Sequence, residues 1–171
     1  MPFSTPFDAP SVDFLESLGC EMYKVASFEI NDIPLLRKIG ATGKPAIVST
    51  GMATEAEIER AYMTLKDCKK TTMLHCVSAY PSMPAEANLS RLGYLLGMYP
   101  LAGLSDHCLD DCITIAAVAM GATVIEKHLI LSRADRTPDW KFSLHPCELA
   151  DLIRSCHAVY AAMQANAFDC E

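Results

Sequence analysis

The sequence lacks the features of secreted and membrane-spanning proteins. Its eight cysteines form no Cys-x-x-Cys pair, and the opening stretch MPFSTPFDAP has neither the basic start nor the apolar core of a signal peptide. No apolar run approaches the roughly 20 residues that a membrane-spanning helix needs. We therefore expect a cytoplasmic protein in a reducing environment that does not contact a membrane.

Positive charge is also scarce. The chain has 14 Lys and Arg against 21 Asp and Glu, for a net charge of −7. This balance disfavours nucleic acids and anionic membrane surfaces as partners, although a small cationic pocket could still bind a phosphorylated small molecule. With 171 residues and a 51% hydrophobic fraction, the chain is long and apolar enough for a globular domain with a substantial core.

Short β-rich runs alternate with segments whose apolar residues recur every three or four positions. This alternation predicts parallel βα units. FSTPFD is expected to be the tail of one more strand, with DAPSVDFLESLG (8–19) as its helix. The five complete runs are MYKVAS (22–27), PAIVST (45–50), TMLHCVS (72–78), LAGLSDH (101–107) and TVIEKHLIL (123–131).

About six units of roughly 28 residues each come close to the roughly 31 residues per unit of an eight-unit barrel. We therefore predict an α/β chain that forms part of a (β/α)8 TIM barrel, as one domain over residues 1–171. An open doubly wound sheet is the alternative. Polar residues near the carboxyl ends of the runs favour the barrel, because that face holds the active site in TIM barrels.

Three local features give sharper expectations. Thr54 and Glu57 form a capping box at the start of a helix. AEANLSRLGYLLGM (85–98) should place Ala85, Leu89, Leu92 and Leu96 on one buried helical stripe. TVIEKHLIL reads as a buried strand that nevertheless carries Glu126, Lys127 and His128, and buried ionisable groups need a partner such as another side chain, a metal or a charged ligand.

Two histidines, His107 and His128, end or interrupt successive predicted strands and should be neighbours at one rim. Two imidazoles with a carboxylate and water would suit Mn²⁺, Fe²⁺ or Zn²⁺. A pair of hydrogen-bonded core histidines is an equal alternative. Cys108 and Cys112 could add sulfur ligands, but their four-residue spacing at a helix start is more typical of core packing.

Other polar side chains at strand ends could bind oxygen-rich ligands. Serine hydroxyls can donate to phosphate or carboxylate oxygens, and Lys24 can act as a point charge. For any single serine, ordinary turn chemistry is the alternative. Tyr80, in SAYPSMP, is a candidate site residue; the alternative is a tyrosine that only covers the barrel mouth. Asp139, in RADRTPDWKF, would face the site or simply be solvated.

Six motifs together resemble a known family. STPFD, YKVAS, GKPAIVSTGMAT, LHCVSAYP, GLSDH and GATVIEKHLIL occur in this order and closely resemble the sialic acid synthase family, whose members condense phosphoenolpyruvate with an N-acylated amino sugar. ASFEINDIPLL and SAYPSMPAEANL are similar to the pseudaminic acid synthase branch. Sialic and legionaminic acid synthases usually have a Ser-Gly pair where Ser27-Phe28 stands.

The resemblance implies a homodimeric (β/α)8 enzyme that uses a divalent metal, usually Mn²⁺. His107 and His128 match its metal ligands, with Glu126 and Lys127 in the polar ring around them. Ser78, Tyr80 and Asp139 match positions that face the sugar, and His128, Tyr80 and Asp139 are expected to take part in catalysis. The residues expected to hold phosphoenolpyruvate are Thr5, Lys24, Ser27, Ser49 and Ser105. Ser78 is expected to supply a further hydroxyl group to this ligand.

Some family features are not found in these 171 residues. The family barrel has two strands before FSTPFD, which contribute a glutamate and a lysine, and a small antifreeze-like domain after the barrel that reaches the partner subunit's site. Cys108, Thr137 and His145 stand where the family usually has threonine, glycine and glutamate.

We therefore expect a nonulosonic acid synthase that releases phosphate. One alternative is a catalytically silent, truncated barrel that acts in binding or assembly. Another is a different metal-dependent aldolase or isomerase on the same fold. We also expect the chain by itself to be inactive and to associate in solution, because a barrel without two of its strands exposes two unpaired edges.

Overall fold

A computed structural model describes residues 2–164, which form one parallel sheet covered by helices. The strands are β1 (Tyr23–Val25), β2 (Ala46–Ser49), β3 (Thr71–Cys76), β4 (Ala102–Asp106) and β5 (Ile125–Lys127). Every strand pairs in parallel with the next along the chain, giving the order β1-β2-β3-β4-β5. A doubly wound sheet requires a reversal of strand order. The sheet of these residues has no such reversal, so the strand order agrees with the predicted barrel and not with the alternative of a doubly wound sheet.

Helices follow the strands as the sequence predicted. They are α1 (Ala9–Ser17), α2 (Ile33–Gly40), α3 (Glu55–Thr64), α4 (Leu89–Met98), α5 (Asp111–Ala119) and α6 (Pro146–Gln164). Short 3-10 turns, Ser27–Glu29 and Pro84–Glu86, follow β1 and precede α4. The alternation of strand and helix is therefore confirmed over the described residues.

The expected first strand is present only as a single bridge. Ser4 pairs in parallel with Tyr23, and the Lys24 amide donates to the Ser4 carbonyl at 3.0 Å. The helix predicted next is α1, whose start is fixed by Asp8: its carboxylate accepts from the Ser11 amide at 2.8 Å. The structure thus shows five strands and a bridge, close to the six units expected.

The sheet curls so that its two edges approach each other. Lys24 lies on β1 and Glu126 on β5, at opposite edges, yet the Lys24 ammonium lies 3.6 Å from the Glu126 carboxylate. Side chains alternate between the two faces of a strand, so Lys24 and Glu126 lie on the concave inner face. The five strands therefore form a curled half-barrel.

The outer face of the sheet carries the main core. Tyr23, Val25, Val48 and Met73 are fully buried there, in one cluster with helix residues such as Leu36. Each large apolar side chain buried in this way contributes about 1.5–3 kcal/mol relative to an exposed one. The core thus lies between sheet and helices, which leaves the inner face for polar residues.

The prediction of a long buried strand at 123–131 is wrong. β5 covers only Ile125–Lys127 and is half-buried. Leu129 is 50% exposed and Leu131 is 76% exposed. β5 is an edge of the described sheet with one paired neighbour, β4. After it the chain leaves the sheet, since Leu129 forms an isolated bridge with Leu144.

The predicted helical stripe at 85–98 is only partly correct. Ala85 is exposed and belongs to a 3-10 turn, because Asn88 adopts a left-handed conformation with φ of 43° and separates that turn from α4. Within α4, Leu92 and Leu95 are the buried residues. The capping box at Thr54 is confirmed: its hydroxyl accepts from the Glu57 amide, and the Glu57 carboxylate accepts from the Thr54 amide.

Candidate active site

A pocket of about 470 Å³ opens at the carboxyl ends of the strands, within the range of roughly 300–1,000 Å³ typical of small-molecule sites. Eight of the ten predicted site residues line it; Ser78 and Ser105 do not. The lining residues are Thr5, Phe7, Lys24, Ala26, Ser27, Phe28, Ser49, Cys76, Tyr80, His107, Glu126, Lys127, His128 and Asp139.

Lys24 places a buried ammonium group in the wall of the pocket. Its side chain is 9% exposed. The ammonium donates to the Ser49 hydroxyl at 2.7 Å and to the Val25 carbonyl at 2.9 Å. Burial lowers the pKa of Lys24, and the nearby Glu126 carboxylate partly opposes this effect. An anion that entered the pocket would meet a positive charge that has few water molecules around it.

Glu126 links this ammonium to Ser105. One of its carboxylate oxygens lies 3.6 Å from the Lys24 ammonium, and the other accepts from the Ser105 hydroxyl at 2.6 Å. Ser105 therefore lies behind Glu126, with its hydroxyl already engaged. The sequence analysis placed Glu126 in a polar ring but did not identify these partners, because they depend on how far the sheet curls.

The turn after β2 is packed tightly against two of the predicted serines. Gly51 has a φ of +47°, and a Cβ at this position would lie 2.5 Å from the Ser27 Cβ and 3.2 Å from the Ser78 hydroxyl oxygen. The Ser78 hydroxyl is buried, and within residues 2–164 it has no hydrogen-bond partner. Ser27 thus lines the pocket, whereas Ser78 lies beneath the Gly51 turn.

The rings of His107 and His128 lie next to each other across the ends of β4 and β5, with their planes tilted by 56°. Their ring centroids are 5.4 Å apart. His107 Nδ1 lies 2.9 Å from the Val77 carbonyl and must donate to it, which leaves Nε2 with a free lone pair. Burial lowers the pKa of His107. His128 is more exposed, and its Nδ1 lies 3.5 Å from an Asp139 carboxylate oxygen.

Aromatic side chains pack around the two histidines. The Tyr80 ring lies 4.3 Å from the His107 ring, centroid to centroid. The Phe142 ring lies 4.8 Å from that of His128 and 5.3 Å from that of Tyr80. Sequence reasoning missed Phe142, and no local signal pointed to it. It also missed Cys76, which alternation along β3 could have identified, since Cys76 and Ser78 share the parity of the inner face.

The two imidazoles fit a divalent metal as a pair. Rings that hold one ion through nitrogen bonds of about 2 Å have centroids roughly 5 Å apart, in agreement with the observed separation. The Val77 hydrogen bond is of the kind that orients ligating histidines. The expected carboxylate ligand is not in place: residues 2–164 bring together no group of three His, Cys, Asp or Glu side chains that could hold a metal ion.

Lys127 differs from its expected place in the polar ring. Its backbone borders the pocket, but its ammonium pairs with Asp106, and both side chains are 3% exposed. Lys24 is therefore the lysine of this pocket that can contact a ligand.

None of the helices within residues 2–164 combines the length and the apolar sequence needed to span a membrane.

Comparisons with known proteins agree with this arrangement. A model of the NeuB family matches residues 1–167. The chain is 44% identical over 150 residues to a pseudaminic acid synthase of Helicobacter pylori, covering 83% of this chain and 43% of that protein. It is 43% identical over 167 residues to an N,N'-diacetyllegionaminic acid synthase of Campylobacter jejuni, covering 94% and 49%. The chain thus spans about half the length of these curated relatives.

A solved structure has the same fold. The N-acetylneuraminic acid (sialic acid) synthetase of Leptospira borgpetersenii, crystallised with citrate, superposes with a TM-score of 0.91 at 37% sequence identity. The match covers 98% of this chain and 59% of that one.

Proposed function

Because the chain belongs to the NeuB family, we propose that it provides the catalytic barrel of a nonulosonic acid synthase. The reaction joins phosphoenolpyruvate to an N-acylated amino sugar and releases phosphate. One observation carries the proposal: a single pocket holds a buried lysine ammonium with hydroxyl groups around it and, on the β4 and β5 side, two adjacent imidazoles.

The ammonium side of the pocket suits phosphoenolpyruvate. Lys24 supplies positive charge, and the hydroxyls of Thr5, Ser27 and Ser49 supply donors to phosphate and carboxylate oxygens. Ser105 could join them only if its hydroxyl left Glu126. A substrate anion would compete with Glu126 for Lys24, so binding would exchange one charge partner for another rather than bury an isolated charge.

The histidine side suits the sugar aldehyde. His107 and His128 would hold a divalent metal such as Mn²⁺, which supplies Lewis acidity to a carbonyl oxygen when bound. Two features of His107 support this role: its Nδ1 donates to the Val77 carbonyl, and burial lowers its pKa, which favours the neutral ring. Tyr80 and Asp139 border the same space and would orient the sugar.

The chemical steps follow from placing the two substrates side by side. C3 of phosphoenolpyruvate forms a bond to the aldehyde carbon, water adds at C2, and collapse of the resulting tetrahedral carbon breaks the C–O bond to phosphate. The pocket residues contribute orientation and charge complementarity, which can lower a barrier by several kcal/mol. Phe28, which stands at the rim, favours a pseudaminic-type sugar.

The test combines ligand binding with turnover. Calorimetry should show Mn²⁺ binding by the wild type and a loss of affinity of tenfold or more in His107→Ala and in His128→Ala, whereas the exposed His157→Ala should bind normally. Lys24→Met should lose phosphoenolpyruvate binding, and the exposed Lys66→Met should retain it.

Turnover, measured on the full-length protein because we expect these 171 residues by themselves to be inactive, distinguishes the rival hypotheses. Phosphate release from phosphoenolpyruvate that depends on an N-acylated amino sugar would support the synthase. Binding of Mn²⁺ and phosphoenolpyruvate without phosphate release would favour the silent barrel. Mn²⁺ binding without any affinity for phosphoenolpyruvate would point to a different aldolase or isomerase and contradict the proposal.

A further inference from the structure

A buried ion pair lies directly beside the two histidines. Asp106 and Lys127 are register partners on β4 and β5, and each is followed in the chain by a histidine, His107 or His128. The Lys127 ammonium lies 3.0 Å from an Asp106 carboxylate oxygen, and both side chains are 3% exposed. Since neighbouring residues on a strand point to opposite faces, the ion pair lies on the helix side and the histidines on the pocket side.

Every strong polar group of this pair has a partner. One Asp106 oxygen accepts from the Cys108 amide at 2.8 Å. The other accepts from the hydroxyl of Thr114, a fully buried residue of α5, at 2.6 Å. The Lys127 ammonium also donates to the Cys108 carbonyl at 2.5 Å. The network therefore ties together β4, β5, α5 and the turn that contains His107.

Stability alone does not account for such a pair. A buried ion pair often contributes no more than well-packed apolar residues of the same size, because removing both charges from water is costly. In some proteins a fully satisfied buried pair instead specifies the register of the elements that carry it. A slip of one residue between β4 and β5 would separate the two charges and turn His128 away from the pocket.

We propose that Asp106 and Lys127 are positioning residues that fix the register of β4 and β5 and so hold the His107 and His128 rings next to each other. The inference rests on the proposed function in that the histidine pair is taken as the metal site. The ion pair itself contacts neither metal nor substrate; it acts through the backbone positions of the two histidines.

The experiment removes both charges at once. The double variant Asp106→Asn/Lys127→Met keeps similar volumes and avoids leaving one buried charge alone. Leu36→Ala, in the fully buried core of α2, is the control for general destabilisation. Two readouts are used on protein shown by circular dichroism to be folded: Mn²⁺ affinity by calorimetry, and, without metal, NMR contacts (NOEs) between the two imidazole rings.

The double variant should bind Mn²⁺ more weakly by on the order of tenfold or more and lose the ring-to-ring contact, whereas Leu36→Ala should change affinity by less than about twofold. Wild-type affinity and an intact ring contact in the double variant would overturn the inference. If the double variant does not fold, the variant Thr114→Val tests the inference instead. It removes one hydrogen bond to Asp106 and keeps both charges, and it must weaken the NOE between the His107 and His128 rings.

Failure of the proposed function gives a different pattern. If the wild type binds no Mn²⁺, the metal site is refuted, yet the ring contact measured without metal still decides whether the ion pair positions the histidines. If the wild type binds Mn²⁺ and both histidine variants do not, a normal affinity in the double variant refutes only the positioning role.

Discussion

Replacing Lys24 by methionine should make the protein more stable while abolishing its affinity for phosphoenolpyruvate. Methionine has nearly the same length and no charge, so it can occupy the same space between β1 and β2. A stabilising change that removes ligand binding is expected where a buried charge is kept for function rather than for folding.

The magnitude follows from the contacts of the ammonium group. Taking an ion out of water costs several kcal/mol, and its hydrogen bonds to Ser49 and Val25 return roughly 1.5–3 kcal/mol each. Glu126 is not left as an isolated buried charge, because its side chain is 35% exposed and it keeps the Ser105 hydrogen bond. The desolvation cost and the gain from the hydrogen bonds nearly cancel, and a buried methionine adds about 1 kcal/mol of apolar burial that the ammonium group lacks, so we expect Lys24→Met to raise the free energy of unfolding by about 1 kcal/mol, or Tm by about 2–4 °C.

The pH dependence gives an independent check on the cause. Burial holds the pKa of Lys24 below its ordinary value of 10.5, so the unfolded chain keeps this proton to higher pH than the folded one. The cost of the buried charge is therefore fully present below the folded pKa and disappears as the pH rises toward 10.5. The advantage of Lys24→Met over the wild type should shrink over that range.

Denaturant unfolding and calorimetric titration with phosphoenolpyruvate provide the assays. Lys66→Met, which removes an exposed lysine, should change the free energy of unfolding by less than about 0.5 kcal/mol, both at neutral pH and as the pH rises toward 10.5. A loss of more than about 2 kcal/mol in Lys24→Met would refute the reasoning, because it would mean that the ammonium stabilises the fold. Unchanged affinity for phosphoenolpyruvate would refute the binding role.

Three further predictions concern backbone, helix start and specificity. Gly51→Ala should lose about 2–4 kcal/mol in denaturant unfolding, because its φ is +47° and the new Cβ would lie 2.5 Å from that of Ser27. Thr54→Ala should lose about 1 kcal/mol by the same measurement, since it removes the cap of α3 that Glu57 completes. In the full-length protein, Phe28→Gly should shift competing turnover toward N-acetylmannosamine and away from a 6-deoxy diacetamido hexose by about tenfold or more; an unchanged ratio would exclude Phe28 as a determinant of sugar specificity.

The rim of the pocket could be predicted because strand periodicity is a local property. The runs that contain β1, β2 and β4 end in polar residues, and parallel strands bring their carboxyl ends to one edge. This is how Lys24, Ser49 and His107 were assigned to one site. The cap at Thr54 was equally local. Each of these depends on residues a few positions apart, where side-chain chemistry decides the outcome.

Contacts between distant strands could not be predicted in the same way. The bonds from Glu126 to Ser105 and from Lys127 to Asp106 depend on the register of β4 and β5, which are 21 residues apart along the chain. The exposure of Leu131 depends on where the chain leaves the sheet. Phe142 reaches the histidines through a loop whose path no periodic pattern describes.

The two lysines that border the pocket lie on opposite faces of the sheet, and this difference explains why they have different partners. Lys127 lies on the outer face, where burial forces it into a permanent pair with Asp106. Lys24 lies on the inner face, where its partner Glu126 remains partly exposed and the contact is 3.6 Å long. A ligand anion can therefore displace the partner of Lys24 at little cost, whereas displacing the partner of Lys127 would leave a charge buried alone. This asymmetry is the reason we propose Lys24, and not Lys127, as the anion-binding lysine of this pocket.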